Sequence, residues 1–159
     1  MSKQSAGILL YRKKNKILEV FLVHPGGPFW IKKDDGAWSI PKGEFEDDEE
    51  PLNAAKREFE EETGIKISGE FIELNPVKQK SGKKVYAWAV EGNIDPGKII
   101  SNNFEIEWPP KSGKMKSFPE IDKAMWFNLS EASTKINSGQ LPLIKELEDI
   151  FQEMLKEKP

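Results

Sequence analysis

The feature that most constrains the fold of this chain is a concentration of negative charge in one segment. Residues 44–62 hold ten acidic and two basic side chains, a net charge of −8, while the whole chain carries −3, so that the remainder is +5. A uniformly acidic protein would not show this division. The pattern is that of a cation site that meets an anionic ligand, and equally that of a solvated acidic helix.

This acidic segment is predicted to form a helix from Glu50 to Thr63. Gly64 stands where a glycine commonly terminates a helix. Asp48 is a suitable N-cap residue, and Pro51 is tolerated in the first turn.

Three glutamates are predicted to share one face of this helix. At about 100° per residue, Glu62 lies about +40° and Glu61 about −60° from Glu58. Ala54 and Ala55 fall on the same side one turn earlier, so no bulky side chain is expected to block the approach. Like charges at these spacings destabilise a helix, and acids near its C-terminus oppose the helix dipole. A divalent cation such as Mg²⁺ would relieve both effects; the alternative is a solvated acidic helix end.

The rest of the chain predicts a mixed sheet with helices packed on it. Strands are predicted over residues 5–11, 17–24, 71–74, 85–90 and 124–128. Residues 92–113 have the composition of a loop. Ser130 is predicted to cap a short helix that extends to Ile136, and residues 141–155 show the apolar spacing of an amphipathic helix. This order favours an α+β fold in a single domain of residues 1–159.

Composition excludes several kinds of protein. The chain has no cysteine, which excludes disulfide scaffolds, Cys–zinc sites and iron–sulfur clusters. Its single histidine, His24, excludes a metal site built on two or three histidines, and it is predicted to be a surface or capping side chain. No apolar run is long enough to cross a bilayer, and the N-terminus lacks the pattern of a secretory signal. A cytoplasmic protein without a membrane partner is therefore expected.

From Gly43 to Ile65 the sequence GEFEDDEEPLNAAKREFEEETGI resembles the Nudix box without departure. The box requires Gly, five residues, Glu, seven residues, Arg-Glu, an apolar residue, any residue, Glu-Glu, any residue, Gly and an apolar residue. The matching positions are Gly43, Glu49, Arg57, Glu58, Phe59, Glu61, Glu62, Gly64 and Ile65. The flanking residues also resemble the Nudix family, so the likeness is expected to span most of the chain.

The resemblance implies a Nudix-like α/β/α sandwich with a mixed β-sheet. It also implies an enzyme that hydrolyses a nucleoside diphosphate linked to another group, with Mg²⁺ or Mn²⁺ as cofactor. A nucleoside triphosphate or a dinucleoside polyphosphate is the expected substrate. The metal ligands carried over by position are Glu58, Glu61, Glu62 and the carbonyl of Gly43. Arg57 and Glu49 would orient them.

A further carboxylate outside the box is expected to act as general base. Glu120 is the candidate, because it lies six residues before Trp126, a spacing that resembles the dinucleoside polyphosphate hydrolases. Glu105 and Glu107 are its rivals, and a solvated loop acid is the alternative. The predicted catalytic set is Glu61, Glu120 and Arg57.

Three residues are predicted to bind the substrate. Lys42, beside the box glycine, is expected to contact a phosphate, and Trp30 and Trp108 lie in predicted loops where they could stack on a base. Few aromatic residues accompany the lysines, and the protein is acidic overall. Both features disfavour a nucleic-acid polymer as the partner. A small nucleotide polyphosphate is therefore the expected partner.

Two other functions stay open. A diphosphoinositol polyphosphate hydrolase would need a strongly basic cleft, and the isoelectric point near 5.4 speaks against one. A non-catalytic nucleotide-sensing module would not need every carboxylate of the box.

Overall fold

The structure, a computed structural model, describes residues 3–156. The strands in this range are β1 (Gln4–Lys14), β2 (Ile17–Pro25), β3 (Lys42–Glu44), β4 (Ile72–Glu73), β5 (Val77–Lys78), β6 (Lys84–Glu91), β7 (Asn103–Glu107), β8 (Met115–Pro119) and β9 (Ile121–Asn128). The α-helices are α1 (Pro51–Thr63), α2 (Leu129–Lys135) and α3 (Leu141–Lys156). No helix in this range is both long and apolar enough to cross a membrane.

The main sheet is mixed. Its strand order is β4-β6-β1-β2-β9, with β3 paired to the start of β1 and β5 paired to β6. Strands β1 and β6 run parallel, from Gln4 beside Lys84 to Tyr11 beside Glu91, and the other pairs are antiparallel. The parallel pair arises because the chain between β1 and β6 crosses the sheet through α1, a connection that two parallel strands require.

Helices cover both faces of this sheet. Alternate residues of β1 point to opposite faces, so Ile8 packs in the core beneath α1 while Leu9 packs in the core beneath α2 and α3. The fully or almost fully buried apolar residues of the helices are Ala54, Ala55 and Phe59 of α1, Ala132 of α2, and Leu143, Ile144 and Leu147 of α3. The predicted α+β sandwich with a mixed sheet is confirmed.

Both predicted N-caps were wrong. Helix α1 begins at Pro51 with Glu50 as its N-cap, and the Glu50 side chain makes no capping hydrogen bond, so Asp48 lies outside the helix. Asn128 rather than Ser130 caps α2, because its side chain accepts a hydrogen bond from the main-chain N–H of Glu131 at 2.8 Å in a capping box.

The region predicted as loop, residues 92–113, contains strand β7, which pairs with β8 just beyond it. Strands β7 and β8 form a two-stranded ribbon separate from the main sheet. Phe104 and Phe118 face each other across it, with ring centroids 6.1 Å apart, and the Phe104 ring lies so close to Gly27 that a Cβ there would be 2.7 Å from it. The ribbon therefore packs on the loop after β2. Phe104 and Ile106 alternate with polar residues in β7, a strand pattern that the prediction of a loop overlooked.

Candidate active site

The acidic helix is brought onto the strand that precedes it. Strand β3 carries Lys42 and Gly43 and pairs with β1 through Gly7 and Ala6, directly beneath α1. The carboxylate of Glu58 then lies against Gly43: a Cβ on that residue would be 1.9 Å from Glu58 Oε2. Any side chain at position 43 would have to displace the Glu58 carboxylate, which gives the box glycine a physical reason.

Glu62 joins the same strand through a hydrogen bond. The main-chain N–H of Lys42 donates to Glu62 Oε2 at 3.2 Å. Burial raises the pKa of the Glu62 carboxyl to about 8, and the negative charges of Glu58 and Glu120 act in the same direction, while Lys42 opposes them. The ionised form of this carboxylate is therefore costly unless more positive charge comes near.

Arg57 holds three carboxylates of the box. Its Nε and Nη2 each donate to Glu49 at 2.8 Å, and its Nη1 donates to Glu58 at 2.8 Å and to Glu61 at 3.2 Å. These contacts raise the pKa of Arg57, with the Glu49 hydrogen bond as the largest cause, and they lower the pKa of Glu49. Burial nevertheless raises the pKa of Glu58. Arg57 is thus a positioning residue for the acidic cluster.

The three glutamates expected on one face have different partners. Glu58 and Glu61 share the Nη1 of Arg57, whereas Glu62 accepts from the main chain of Lys42. Glu61 also lines a surface depression with Arg57 and Asn102 that Glu62 does not line. The expectation that Ala54 and Ala55 leave the approach open was also wrong, because both are fully buried beneath the sheet. This side of the helix turns inward, which explains why Glu62 is partly buried while Glu61, at its edge, stays half exposed.

A divalent cation suits these donors. Among the residues that the structure describes, no three Asp, Glu or His side chains converge as a ready metal cage. Glu58 and Glu62, however, are hard oxygen donors whose ionisation burial opposes, and they flank the main chain of Gly43. Mg²⁺ and Mn²⁺ prefer oxygen ligands of this kind. The residues present therefore fit such an ion, with side-chain rearrangement.

Four predicted site residues line one cavity of about 260 Å³: Trp30, Lys42, Glu62 and Glu120. Burial is the main cause that lowers the pKa of Lys42, and Lys83 adds to it, while nearby carboxylates oppose the shift. Three side-chain amides that the sequence interpretation missed also line the cavity: Gln79, Asn137 and Gln140. Gln79 is 61 residues from Gln140 in sequence, and these amides have no motif spacing, so no sequence pattern could have found them.

Glu120 is held in this cavity by its main chain. Its N–H donates to the carbonyl of Asn102 at 2.8 Å, and its own carbonyl accepts from the N–H of Gly26 at 2.8 Å. The rivals Glu105 and Glu107 lie exposed on β7 and do not line the cavity.

The two tryptophans are placed differently. Trp30 lines the cavity and is 38% exposed, with Lys33 Nζ 5.0 Å from its ring centroid. Trp108 packs edge-on against Phe29 at 5.4 Å and is not among the cavity residues. Its contact with a base stays a prediction.

His24 anchors the loop that carries Trp30. The predicted surface position was wrong, because the side chain is 1% exposed. Its Nε2 donates to the carbonyl of Lys33 at 2.6 Å, and its Nδ1 lies 2.7 Å from Asp122 Oδ1. The ring thus ties the loop after β2 to the start of β9.

Comparison with known proteins gives one family. The family model described as NUDIX domain matches residues 1–147. The chain is 28% identical to the bis(5'-nucleosyl)-tetraphosphatase [asymmetrical] of Mus musculus, over 96% of this chain and 93% of that protein. It is 50% identical to the mRNA-decapping protein g5R of African swine fever virus, over 58% of this chain and 37% of that protein.

The fold has the same relatives. The crystal structure of a C. elegans Ap4A hydrolase binary complex superposes with a TM-score of 0.64 and 20% sequence identity, over 95% of this chain and 98% of that chain. Two curated relatives are 49% and 50% identical to this chain, and the chain spans only 23% and 37% of their lengths. The fold and the family are thereby shared, while activity and substrate have to be argued from the site.

Proposed function

This chain belongs to the NUDIX family, and from that premise we propose that it hydrolyses a phosphoric anhydride bond in a nucleotide polyphosphate, with Mg²⁺ or Mn²⁺ as cofactor. A dinucleoside polyphosphate or a nucleoside triphosphate is the proposed substrate. The observation that carries the proposal is the single cavity that gathers Lys42, Glu62, Glu120 and Trp30.

Glu58, Glu62 and the carbonyl of Gly43 would hold the cation, and Glu61 would join them by leaving Arg57. A divalent cation bound there would screen the polyphosphate and acidify a water molecule. The buried carboxylates would gain from it, because the raised pKa values of Glu58 and Glu62 reflect burial that the positive charge would offset.

The other residues of the cavity have distinct roles in this proposal. Lys42 binds a phosphate oxygen, and the negative charge of the phosphate stabilises the ammonium form that burial disfavours. Glu120 accepts a proton from the water that attacks phosphorus, as a positioned general base does. Trp30 offers its ring to the base, a contact that any nucleobase can make. Arg57 keeps the glutamates of α1 in place.

The test is hydrolysis of a panel of nucleotides in ¹⁸O-labelled water with Mg²⁺ or Mn²⁺. The panel contains nucleoside triphosphates, diadenosine and diguanosine tetraphosphates and a diphosphoinositol polyphosphate. We expect turnover of a nucleotide, with the label in a product phosphate that identifies the attacked phosphorus. Turnover of the inositol compound alone, or nucleotide binding without phosphate products, would contradict the proposal; the second result would indicate a sensor module.

A further inference from the structure

The cavity is lined by three side-chain amides whose role the proposed reaction does not require. Gln79 lies in the turn after β5, and Asn137 and Gln140 lie in the connection between α2 and α3. Gly139 lets the two segments touch, because a Cβ there would lie 2.8 Å from the Cα of Gln79. The fold therefore places amides from two distant parts of the chain around one space.

Hydrogen bonds to the main chain fix the orientation of Gln140. The N–H of Ile40 donates to Gln140 Oε1 at 3.1 Å, and a donor can face only the oxygen of an amide. The Nε2 of Gln140 must then be the group that faces Gln79, and it donates to Gln79 Oε1 at 2.9 Å. Because Gln140 donates to Gln79, the Gln79 atom in this contact must be its oxygen. The orientation of both amides therefore follows from the backbone N–H of Ile40.

Asn137 is oriented in the same way. Its Oδ1 accepts a hydrogen bond from the N–H of Gly139 at 2.9 Å, so its amide nitrogen points elsewhere. Within residues 3–156, neither Gln79 Nε2 nor Asn137 Nδ2 has a hydrogen-bond partner. Neither nitrogen is among the fully buried atoms that lack a partner, so both remain accessible to solvent. Both residues line the cavity, so a ligand bound there would lie within reach of these side chains.

We propose that Gln79 and Asn137 make this cavity selective for a 6-oxopurine nucleotide. Guanine presents two neighbouring acceptors, O6 and N7, that match two amide donors. Adenine keeps N7 but carries an amino donor at the neighbouring position, where it would face another donor. The inference rests on the proposed function, since it names the base that the same cavity takes beside Trp30.

The first experiment compares bases in the wild-type protein. The probes are GTP, ITP, 7-deaza-GTP and ATP, with diguanosine and diadenosine tetraphosphates and 5′-triphosphorylated RNAs that begin with G or A to distinguish the source of the base. We expect GTP and ITP to have similar kcat/KM values, about 10- to 100-fold above that of ATP. The value for 7-deaza-GTP, which lacks one of the two acceptors, should lie between those of GTP and ATP. Equal values for all bases, or a large preference for GTP over ITP, would overturn the proposal.

The second experiment inverts the donors. Gln79→Glu and Asn137→Asp keep the oxygens that accept from Gln140 and Gly139, and they replace each free NH₂ group with an acceptor oxygen. The ratio of kcat/KM for GTP over ATP should fall by about tenfold or more in each. Repulsion between the new charge and phosphate affects both nucleotides and cancels in the ratio.

The matched control is Asn93→Asp, which adds the same charge outside the cavity and keeps the oxygen that accepts from Arg12 at 2.8 Å. It should leave the ratio unchanged, and an unchanged ratio in the two cavity variants as well would overturn the proposal. Thermal melting establishes whether each variant folds. If a variant does not fold, the comparison of bases in the wild-type protein tests the proposal.

Calorimetric binding of the same nucleotides separates this inference from the proposed function. Preferential binding of GTP and ITP without hydrolysis would refute the enzyme and support the base selectivity. Equal binding of all bases, or no binding of any nucleotide, would overturn the selectivity.

Discussion

The main-chain N–H of Lys42 donates to Glu62 Oε2 at 3.2 Å, and this hydrogen bond joins the strand before the acidic segment to the last turn of its helix. The two residues lie 20 positions apart in sequence, and their side chains oppose the effect of burial on each other's pKa. The raised pKa of Glu62 and the lowered pKa of Lys42 both have burial as their largest cause. The site therefore holds ionisable groups where water solvates their charged forms poorly.

Ionisation of Glu62 is predicted to lower stability as pH rises. Its pKa is about 8 in the folded protein against a usual 4.5, so between these values the folded state holds a proton that the unfolded state has lost. The free energy of unfolding should fall as pH rises through that window. Glu62→Gln removes this slope and should raise stability near pH 8 by on the order of 1–3 kcal/mol. Urea denaturation in EDTA from pH 5 to 9 measures it.

Two comparisons check this prediction. The exposed Glu60, changed to Gln, should keep the wild-type slope. Mg²⁺ or Mn²⁺ should stabilise the wild-type protein and do so much less in Glu62→Gln. An identical pH slope in the wild type and in Glu62→Gln would contradict the burial of this carboxylate.

Glu120→Gln is predicted to lower kcat by about 10²- to 10⁴-fold with little change in KM, because it removes the proposed proton acceptor. Steady-state kinetics on the best nucleotide of the panel measure the effect. Glu105→Gln and Glu107→Gln are the controls, since these side chains lie exposed on β7. Loss of turnover in one of them, with Glu120→Gln active, would transfer the role to that rival.

Gly43→Ala is predicted to weaken metal binding and activity together. Its Cβ would come within 1.9 Å of Glu58 Oε2, so the carboxylate has to move. A displacement of about 1 Å can cost about 100-fold in kcat/KM. Electron paramagnetic resonance of Mn²⁺ measures the affinity. Gly97→Ala, where the nearest atom would be Asp95 Oδ1 at 3.3 Å, should bind Mn²⁺ like the wild type.

Arg57→Lys is predicted to lower kcat/KM by about 10- to 100-fold, because lysine cannot keep the paired hydrogen bonds to Glu49 while it contacts Glu58. Glu49→Gln should have a similar effect if the two residues act as one positioning unit. The double variant should then be little worse than either single variant. Fully additive losses would show that they act separately.

Glu61→Gln is predicted to reduce turnover by about 10³-fold or more while thermal melting shows a folded protein, as expected for a carboxylate that binds the metal. The side chain is 47% exposed and paired with Arg57, so the prediction requires it to change partner in the working enzyme. Wild-type turnover in this variant would show that Glu61 is not a metal ligand and that Glu58, Glu62 and Gly43 bind the metal without it.

Local sequence determined much of the fold and the position of the acidic cluster. The apolar residues of β1 and β2, the spacing of α3 and the glycine after Thr63 predicted elements that the structure contains. These features follow from neighbouring residues alone, because periodicity and capping are local properties. The spacing of Arg57, Glu58, Glu61 and Glu62 likewise predicted an acidic cluster on one helix.

Only the tertiary structure decided which residues share the cavity. Glu62 turned inward and Glu61 outward, because packing of Ala54 and Ala55 on the sheet sets the rotation of the helix. The tertiary structure also decided that β7 and β8 pair apart from the main sheet and that Phe104 packs against Gly27. Gln79 and Gln140 meet across 61 residues through a hydrogen bond and a close approach at Gly139. Contacts between distant segments depend on how the whole sheet and its helices pack, and no local pattern encodes them.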